Sequence, residues 1–454
     1  MKCTLHNLGC KVNSYETEAM RQLLEAAGYE IVEFGSETAD VYIINTCTVT
    51  NIADRKSRQM LHKAKKDNPN AVVVAAGCYV QEAGEKLLAD EAVDIIVGNN
   101  RKGQIVEVLE EYFKGRNIDN SFIDINKTRE YENLEINASL AHTRAYIKIQ
   151  DGCNQFCTYC IIPFARGRVR SRKIEDIIDE VRKLAESGCH EIVVTGIHLS
   201  SYGLDFDNTE YNAQSVPNAE RLLQVLEAIA AVDGIDRIRL GSLEPRIITD
   251  TFLERLSAIP QICPHFHLSL QSGCDETLKR MNRRYDTEEF REGVEKIRRY
   301  FDKPAITTDV IVGFPGETDE EFAITRKYLE EINFFEMHVF KYSRRKGTIA
   351  DRMENQIADS VKSERSDALI ELDEELSRAY RESFAGSAEV VLVEEYVECD
   401  GIKYAVGHTK RYVKVYISLD CAQAQDIKIN AEIPVIITGI FGKDSVISKV
   451  AIAN

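Results

Sequence analysis

Cys153, Cys157 and Cys160 fall within the nine-residue run GCNQFCTYC, and any fold this chain adopts must bring their three sulfurs round one point. Three thiolates ligate three irons of a four-iron cubane. The fourth iron is then left without a protein ligand, open to bind and reduce a small molecule rather than only to relay electrons. A zinc knuckle or a group of reduced thiols is the competing reading, because zinc also takes Cys at short spacing. Structural zinc takes four ligands, and no fourth Cys or His stands in this loop.

The 454 residues correspond to about three domains at about 150 residues each. From Met1 to about Gly115, short apolar runs (CTLHNLG, VYIINT, AVVVAAG) alternate with amphipathic stretches such as Tyr15 to Ala27, the rhythm of an open parallel α/β sheet. Cys10, Cys47 and Cys78 each follow such a run. The carboxyl ends of parallel strands share one edge, so these three converge there; three separate buried thiols are the alternative. From about Leu140 to Asn355 the alternation continues through RAYIKIQ, EIVVTG, RIRLGS, HFHLSL, ITTDVIVG and FEMHVF, with a helix at Ile174 to Glu186 ended by Gly188. This predicts a full or partial β/α barrel with its site at the strand exits, where the cysteine loop follows the first strand. Met353 to Phe384 reads as a solvated helical connector. From Ala388 the period falls to two, giving five short strands and a small antiparallel barrel of the kind that holds oligonucleotides or mediates self-association. The expected domain spans are 1–120, 139–375 and 385–454.

A formal charge of -17 argues against nucleic acid as a partner only on average, since screening over roughly 8 Å leaves local charge in control. Arg144 to Lys173 holds 7 basic residues and 1 acidic one, and Arg166, Arg168, Arg170, Arg172 and Lys173 follow Phe164 directly beside the cysteine loop. A charge run is usually a solvated face, but here it abuts the reactive loop and predicts a polyanionic substrate. Lys341, Arg344, Arg345 and Lys346 extend that track, whereas the terminal barrel carries 7 basic against 9 acidic residues. No segment approaches 18 uninterrupted apolar residues and no early run has the form of a secretory signal, so the expectation is a cytoplasmic protein with no membrane partner. Cys3, Cys189, Cys263, Cys274, Cys399 and Cys421 have no metal-ligand spacing and read as structural thiols; His265 and His267, alternating on one strand face, are assigned no role.

The CxxxCxxC array resembles the radical S-adenosylmethionine superfamily, in which the open iron chelates that cofactor. With the Cys10, Cys47, Cys78 trio and the terminal barrel, the chain resembles the methylthiotransferase family over nearly its whole length. The resemblance implies two 4Fe-4S clusters, one per trio, S-adenosylmethionine, a radical core, and a terminal TRAM module that grips RNA. It further implies cofactor-binding roles at strand ends for Gly196 in VTGIHLS, Glu244 in RLGSLEP, Gln271 in HLSLQSG and Asp309 in TDVIVGFPGET, with Arg239, Ser269, Ser272, Gly313, Pro315 and Gly316 in the same segments. LGCKVNSYETE and CTYCIIPFARGR are similar to the branch acting at carbon 2 of N6-threonylcarbamoyladenosine, position 37 of transfer RNA; sister branches take isopentenyl-adenosine in transfer RNA or an aspartate of a ribosomal protein. An electron donor such as flavodoxin or ferredoxin is implied as a partner. A radical enzyme acting on a protein and a non-enzymatic iron-sulfur RNA-binding protein are the rival classes.

Overall fold

The computed structural model describes residues 1–116, 123–137, 143–206, 219–420 and 426–451. Cys421 and the expected domain limits at 120, 139 and 454 lie outside the described residues.

The first unit is a parallel sheet of β1 (Lys2–Asn7), β2 (Glu30–Ile31), β3 (Val41–Thr46), β4 (Val72–Gly77) and β5 (Ile95–Val97), in the order β2-β1-β3-β4-β5. β3 and β4 are buried along their whole length, which explains why both read as continuous apolar runs instead of alternating ones. The helices α1 (Lys11–Ala26), α2 (Asn51–Asp67), α3 (Cys78–Ala83) and α4 (Ile105–Phe113) accompany it. α1 begins a turn earlier than its apolar stripe suggests, because Cys10, in extended conformation, already serves as its N-cap. Thr50 caps α2 by accepting from the Ala53 N–H.

The second unit begins with β6 (Arg144–Asp151), α5 (Ile162–Ala165), the short antiparallel β7 (Arg170–Ser171), α6 (Ile174–Glu186), β8 (Glu191–Gly196), α7 (Ala219–Ala230) and β9 (Arg237–Leu240). It continues through α8 (Asp250–Ser257), β10 (His265–His267), α9 (Asp275–Arg280), α10 (Thr287–Tyr300), β11 (Ala305–Val312), α11 (Asp319–Ile332) and β12 (Glu336–Lys341). Two sheets, β7-β6-β8-β9 and β10-β11-β12, are joined by the bridges Ile238↔Ile262 and Leu243↔Leu268. The result is an arc of six parallel strands, a partial barrel open between β6 and β12. α12 (Asp359–Glu382) is more than the solvated connector its charge density suggests. It packs on β12 and buries Leu369 and Leu372 in the main core, so the polar majority of its surface conceals a narrow apolar contact.

The third unit is a closed barrel, β13 (Ala388–Cys399), β14 (Ile402–Thr409), β15 (Lys414–Ser418), β16 (Glu432–Phe441) and β17 (Ser445–Val450), antiparallel apart from the parallel β15/β17 pair. It seats on the amino ends of the central strands. Arg237 on β9 donates to Glu432 at 2.5 Å, to the His408 carbonyl at 2.9 Å and to the Val390 carbonyl at 3.0 Å. Tyr412 lies against Arg144, Arg239 and His265, flooring the arc from below.

Candidate active site: two cysteine trios and the chamber between them

The first trio converges because of strand order. β1, β3 and β4 are neighbours, and Thr46 pairs with Gly77 in register, so Cys47 and Cys78 emerge side by side about one strand spacing apart. Cys10 returns to them through Gly9, whose φ of +111° places it where a Cβ would lie 2.9 Å from the Cys47 Cβ. Gly77 is equally constrained, with φ +96° and the Thr46 carbonyl 2.7 Å from any added Cβ. Burial, with the neighbouring Cys78 sulfur, pushes the Cys47 thiol up to about 12. Crowded buried sulfurs do not ionise together without a compensating cation, and iron supplies one.

The second trio is held by an equally tight loop. Gly152, with φ +72°, lets the chain pass so close to residue 168 that a Cβ would meet the Arg168 carbonyl at 1.9 Å. The Cys153 N–H donates to the Gly167 carbonyl at 3.0 Å, and the Cys160 N–H to the Cys157 carbonyl at 3.0 Å. Thr158 is pinned by donating its N–H to the Met281 carbonyl and its hydroxyl to the Arg280 carbonyl. Arg283 Nη1 donates to the Cys157 sulfur at 3.1 Å and Nη2 to the Ser269 carbonyl at 3.3 Å, tying the loop to the exit of β10. Burial and the nearby Cys157 sulfur hold the Cys160 thiol up to about 12.

One buried guanidinium connects the trios. Arg166 donates from Nε to the Cys78 sulfur at 3.2 Å, from Nη1 to Glu16 at 2.9 Å and Asp151 at 3.2 Å, and from Nη2 to Asn13 at 2.6 Å and Glu16 at 3.0 Å. Lys148 reaches the same two carboxylates at 2.9 and 3.2 Å, and Lys102 also pairs with Glu16. Glu16 is thereby held well below the usual carboxylate range: burial opposes ionisation, but Arg166, Lys102 and Lys148 outweigh it. Asn99 Nδ2 gives the Cys78 sulfur a second donor at 3.5 Å.

The basic run therefore does not act as one RNA-facing track. Arg166, Arg170 and Arg172 are buried: Arg170 donates to the Arg166 and Arg168 carbonyls, and Arg172 to Asn133 and Glu180. Their charges are consumed by carboxylates and carbonyls that sequence adjacency does not show. Lys173 is exposed, and Arg168, half-buried, stacks 4.5 Å over Phe156 beside the exposed Phe164. In the second basic group Arg345 is likewise buried, pairing with Asp54 and Thr48, whereas Lys341, Arg344 and Lys346 remain exposed.

Of the strand-end candidates, Gly196, Glu244 and Gln271 sit at or just past the ends of β8, β9 and β10. A Cβ on Gly196 would lie 3.0 Å from Gln150 Oε1, a contact tight enough that Gln150 would have to shift. Burial opposes ionisation of Glu244, yet His198 at 3.3 Å and Arg246 at 2.8 Å hold its carboxyl at about 2. Gln271 adopts φ +73° and pairs with β11, its N–H donating to the Asp309 carbonyl at 2.8 Å. Such a left-handed side-chain residue costs on the order of 1–3 kcal/mol and is typical of ligand sites. Asp309 differs from its expected place: it is fifth of eight residues in β11, and its side chain points at His267 inside the arc, not at the strand exit. Arg239 is also interior, salt-bridged to Glu191 at 2.9 Å. Sequence reading missed Arg283, Glu16, Asn13 and Lys11, none of which stands in a pattern distinguishable from an ordinary helix or turn.

A parallel partial barrel with a three-thiolate loop at a strand exit defines the class of radical S-adenosylmethionine enzymes. The Radical SAM superfamily model matches residues 147–329, and the uncharacterized protein family UPF0004 matches residues 2–98. The chain is 43% identical over 411 residues to the threonylcarbamoyladenosine tRNA methylthiotransferase MtaB of Bacillus subtilis, covering 90% of this chain and 89% of that one. It is 39% identical to the protein of the same name from Aquifex aeolicus, covering 87% and 93%, and 36% identical to the tRNA-2-methylthio-N(6)-dimethylallyladenosine synthase of Clostridium botulinum, covering 85% and 84%. Among solved structures, the radical S-adenosylmethionine methyltransferase TsrM from Kitasatospora setae shares the fold at TM-score 0.55 and 15% identity, covering 77% of this chain and 73% of that one. This chain belongs to the radical S-adenosylmethionine methylthiotransferase family. The six thiols fit the two 4Fe-4S clusters this family carries, each trio having at least one sulfur that accepts an arginine hydrogen bond.

Proposed function

We propose that this enzyme transfers a methylthio group to carbon 2 of N6-threonylcarbamoyladenosine at position 37 of transfer RNA. The observation that carries it is the joining of the two trios through Arg166, which places sulfur chemistry and radical chemistry on one rigid frame. Cys153, Cys157 and Cys160 would hold the radical cluster and Cys10, Cys47 and Cys78 the auxiliary one. With S-adenosylmethionine bound, these groups supply hydrogen abstraction from an unreactive carbon and delivery of sulfur and methyl. The chain does the rest. Gly196 and Gln271 open backbone space for the cofactor, Arg283 neutralises the Cys157 thiolate, and the floor formed by Tyr412 keeps water from entering beneath.

The relatives named for threonylcarbamoyladenosine support this substrate over the isopentenyl one. Arg168, Phe156, Phe164 and Lys173 give RNA a cationic and aromatic lip beside the radical loop. The terminal barrel, in our reading a TRAM module spanning 385–454 after a radical core at 139–375 and a first domain at 1–120, offers the half-buried Tyr416 and Phe441 for stacking. A flavodoxin or ferredoxin would supply electrons in the cytoplasm; no described helix is long and apolar enough to cross a membrane.

Nucleoside analysis of transfer RNA from a deletion strain tests the substrate. Loss of the 2-methylthio threonylcarbamoyl nucleoside supports it; its persistence with loss of the 2-methylthio isopentenyl nucleoside would move the enzyme to the sister branch. Cys157→Ala should abolish 5'-deoxyadenosine formation, whereas Cys47→Ala retains part of it and ends sulfur transfer. Equal loss in both would refute the division of roles.

A further inference from the structure

Inside the arc, below the strand exits, His267, Asp309 and His338 bring one ligand atom each to within 4.8 Å of one another. Their placement follows from register: β10, β11 and β12 are adjacent and parallel, Asp309 pairs with His338, and His267 pairs with Thr307. His267 is fixed at both nitrogens, by Thr307 at 3.0 Å and Asp309 at 3.4 Å, and its ring stacks on His338 at 5.9 Å. Among the described residues the His338 ring makes no hydrogen bond, and the residue is exposed. Just below, buried His265 leaves Nδ1 without a partner.

A fourth group enters from the first domain. Lys11 directly follows Cys10 and opens α1, which packs along β6. Lys11 is exposed and within electrostatic reach of Arg239, Arg144 and Asp309, and among the described residues its side chain has no hydrogen bond or ion pair. Arg144 and Arg239 are already paired with Glu191, at 3.3 and 2.9 Å, so Lys11 is the cation this chamber leaves over. Two histidines and a carboxylate at this spacing also suit a divalent ion, but Lys11 beside them and two arginines beneath disfavour a second positive charge.

We infer that this chamber holds the threonyl arm of the modified base: Lys11 takes its carboxylate, Asp309 accepts from its hydroxyl or ureido N–H, and the His267–His338 stack flanks it. The inference rests on the threonylcarbamoyl reading above. It explains discrimination physically, because an isopentenyl arm would leave Lys11 without a counter-charge and Asp309 with His267 alone, and sites that pair polar groups reject analogues lacking them by large factors.

The test uses the full-length protein with both clusters reconstituted and two anticodon stem-loop RNAs, one with the free threonyl carboxylate and one with its methyl ester. Wild type should show a KM at least ~10-fold higher for the ester, a modest share of the discrimination a polar site can reach. Lys11→Ala should raise the KM for the acid at least ~10-fold and erase the acid-to-ester gap, and Lys11→Arg should restore part of it. His338→Leu, remote in sequence from both trios, should narrow the gap at unchanged iron content, which guards against cluster loss in the Lys11 variants. An unchanged gap in Lys11→Ala, equal losses on both RNAs, or a stoichiometric non-iron divalent metal released by His338→Leu would each overturn the inference. Wild type inactive on both RNAs but active on an isopentenyl stem-loop would instead overturn the substrate reading on which it rests.

Discussion

Arg166→Gln is the most informative single change outside the cysteines. The guanidinium is fully buried and makes six polar contacts, one each to Cys78 and Asn13 and two each to Asp151 and Glu16. Removing one partner of a buried ion pair costs about 3–5 kcal/mol, because the other charge is left without compensation. Here Lys148 remains on both carboxylates and Lys102 on Glu16, so the low end applies, about 3 kcal/mol. The Cys78 sulfur also loses a charged donor. Hydrogen bonds to cluster sulfurs favour the reduced state, and about 1 kcal/mol of lost preference lowers a one-electron potential by about 40 mV. Denaturant unfolding followed by circular dichroism reads the stability, since the chain has no Trp. Spectroelectrochemistry of a Cys153, Cys157, Cys160 triple Ala variant reads the auxiliary cluster alone. Arg166→Lys, which keeps charge but not the fork, should retain most of the stability and lose the potential shift's hydrogen-bond part. Unchanged stability together with an unchanged potential in Arg166→Gln would refute the view that this residue joins the two centres.

Four further outcomes follow from the geometry. Glu191, buried, is held at about 2, burial opposing ionisation but Arg239, Arg144 and Arg237 outweighing it; its folded pKa is depressed, so its stabilisation is full above about 4.5 and is lost as pH falls from there towards 2, and Glu191→Gln should flatten the stability profile in that window. Gly152→Ala should drop iron from about eight to about four per chain, because the Arg168 carbonyl occupies the Cβ position; retention of eight would refute the tight-loop account. Arg168→Ala and Lys173→Ala should each reduce the salt slope of transfer RNA binding by about 0.7–0.9 without loss of stability. Arg172→Ala should do the opposite, destabilising because buried Glu180 keeps only the neutral donors Tyr15 and the Ile136 N–H, and leaving the slope unchanged, as measured by the same binding and unfolding assays.

What the sequence discloses depends on whether the physics is local. Strands at Val41–Thr46, Val72–Gly77 and Glu191–Gly196 and the helix at Ile174–Glu186 are legible because burial on both faces or a single apolar stripe writes itself into consecutive residues. The convergence of Cys10, Cys47 and Cys78 is legible because strand ends in a parallel sheet share an edge whatever the order. The fate of the arginines is not. Arg166 and Arg168 are two residues apart and equally basic in sequence, but one meets Glu16 from 150 positions away and the other stacks half-buried on Phe156. Asp309 shows the same limit: the motif around it suggests an exit, and only the length of β11 places it inside the arc.

α1 concentrates these non-local contacts. At about 100° per residue, positions three apart lie about 60° round the helix and positions four apart about 40°, so both spacings share a face. Cys10, Asn13 and Glu16 follow the first spacing, and they face the first trio and Arg166. Lys11 and Tyr15 follow the second and turn to the central unit, Tyr15 entering its core and donating to Glu180, Lys11 lying exposed within electrostatic reach of Asp309. A single helix thus fixes the cluster ligand, the bridge between centres and the chamber cation in one rotational phase. Variation at Lys11 can therefore change which substrate arm is accepted while Asn13, Tyr15 and Glu16 keep the two reactive centres in place, which separates specificity from chemistry within about two turns of one helix.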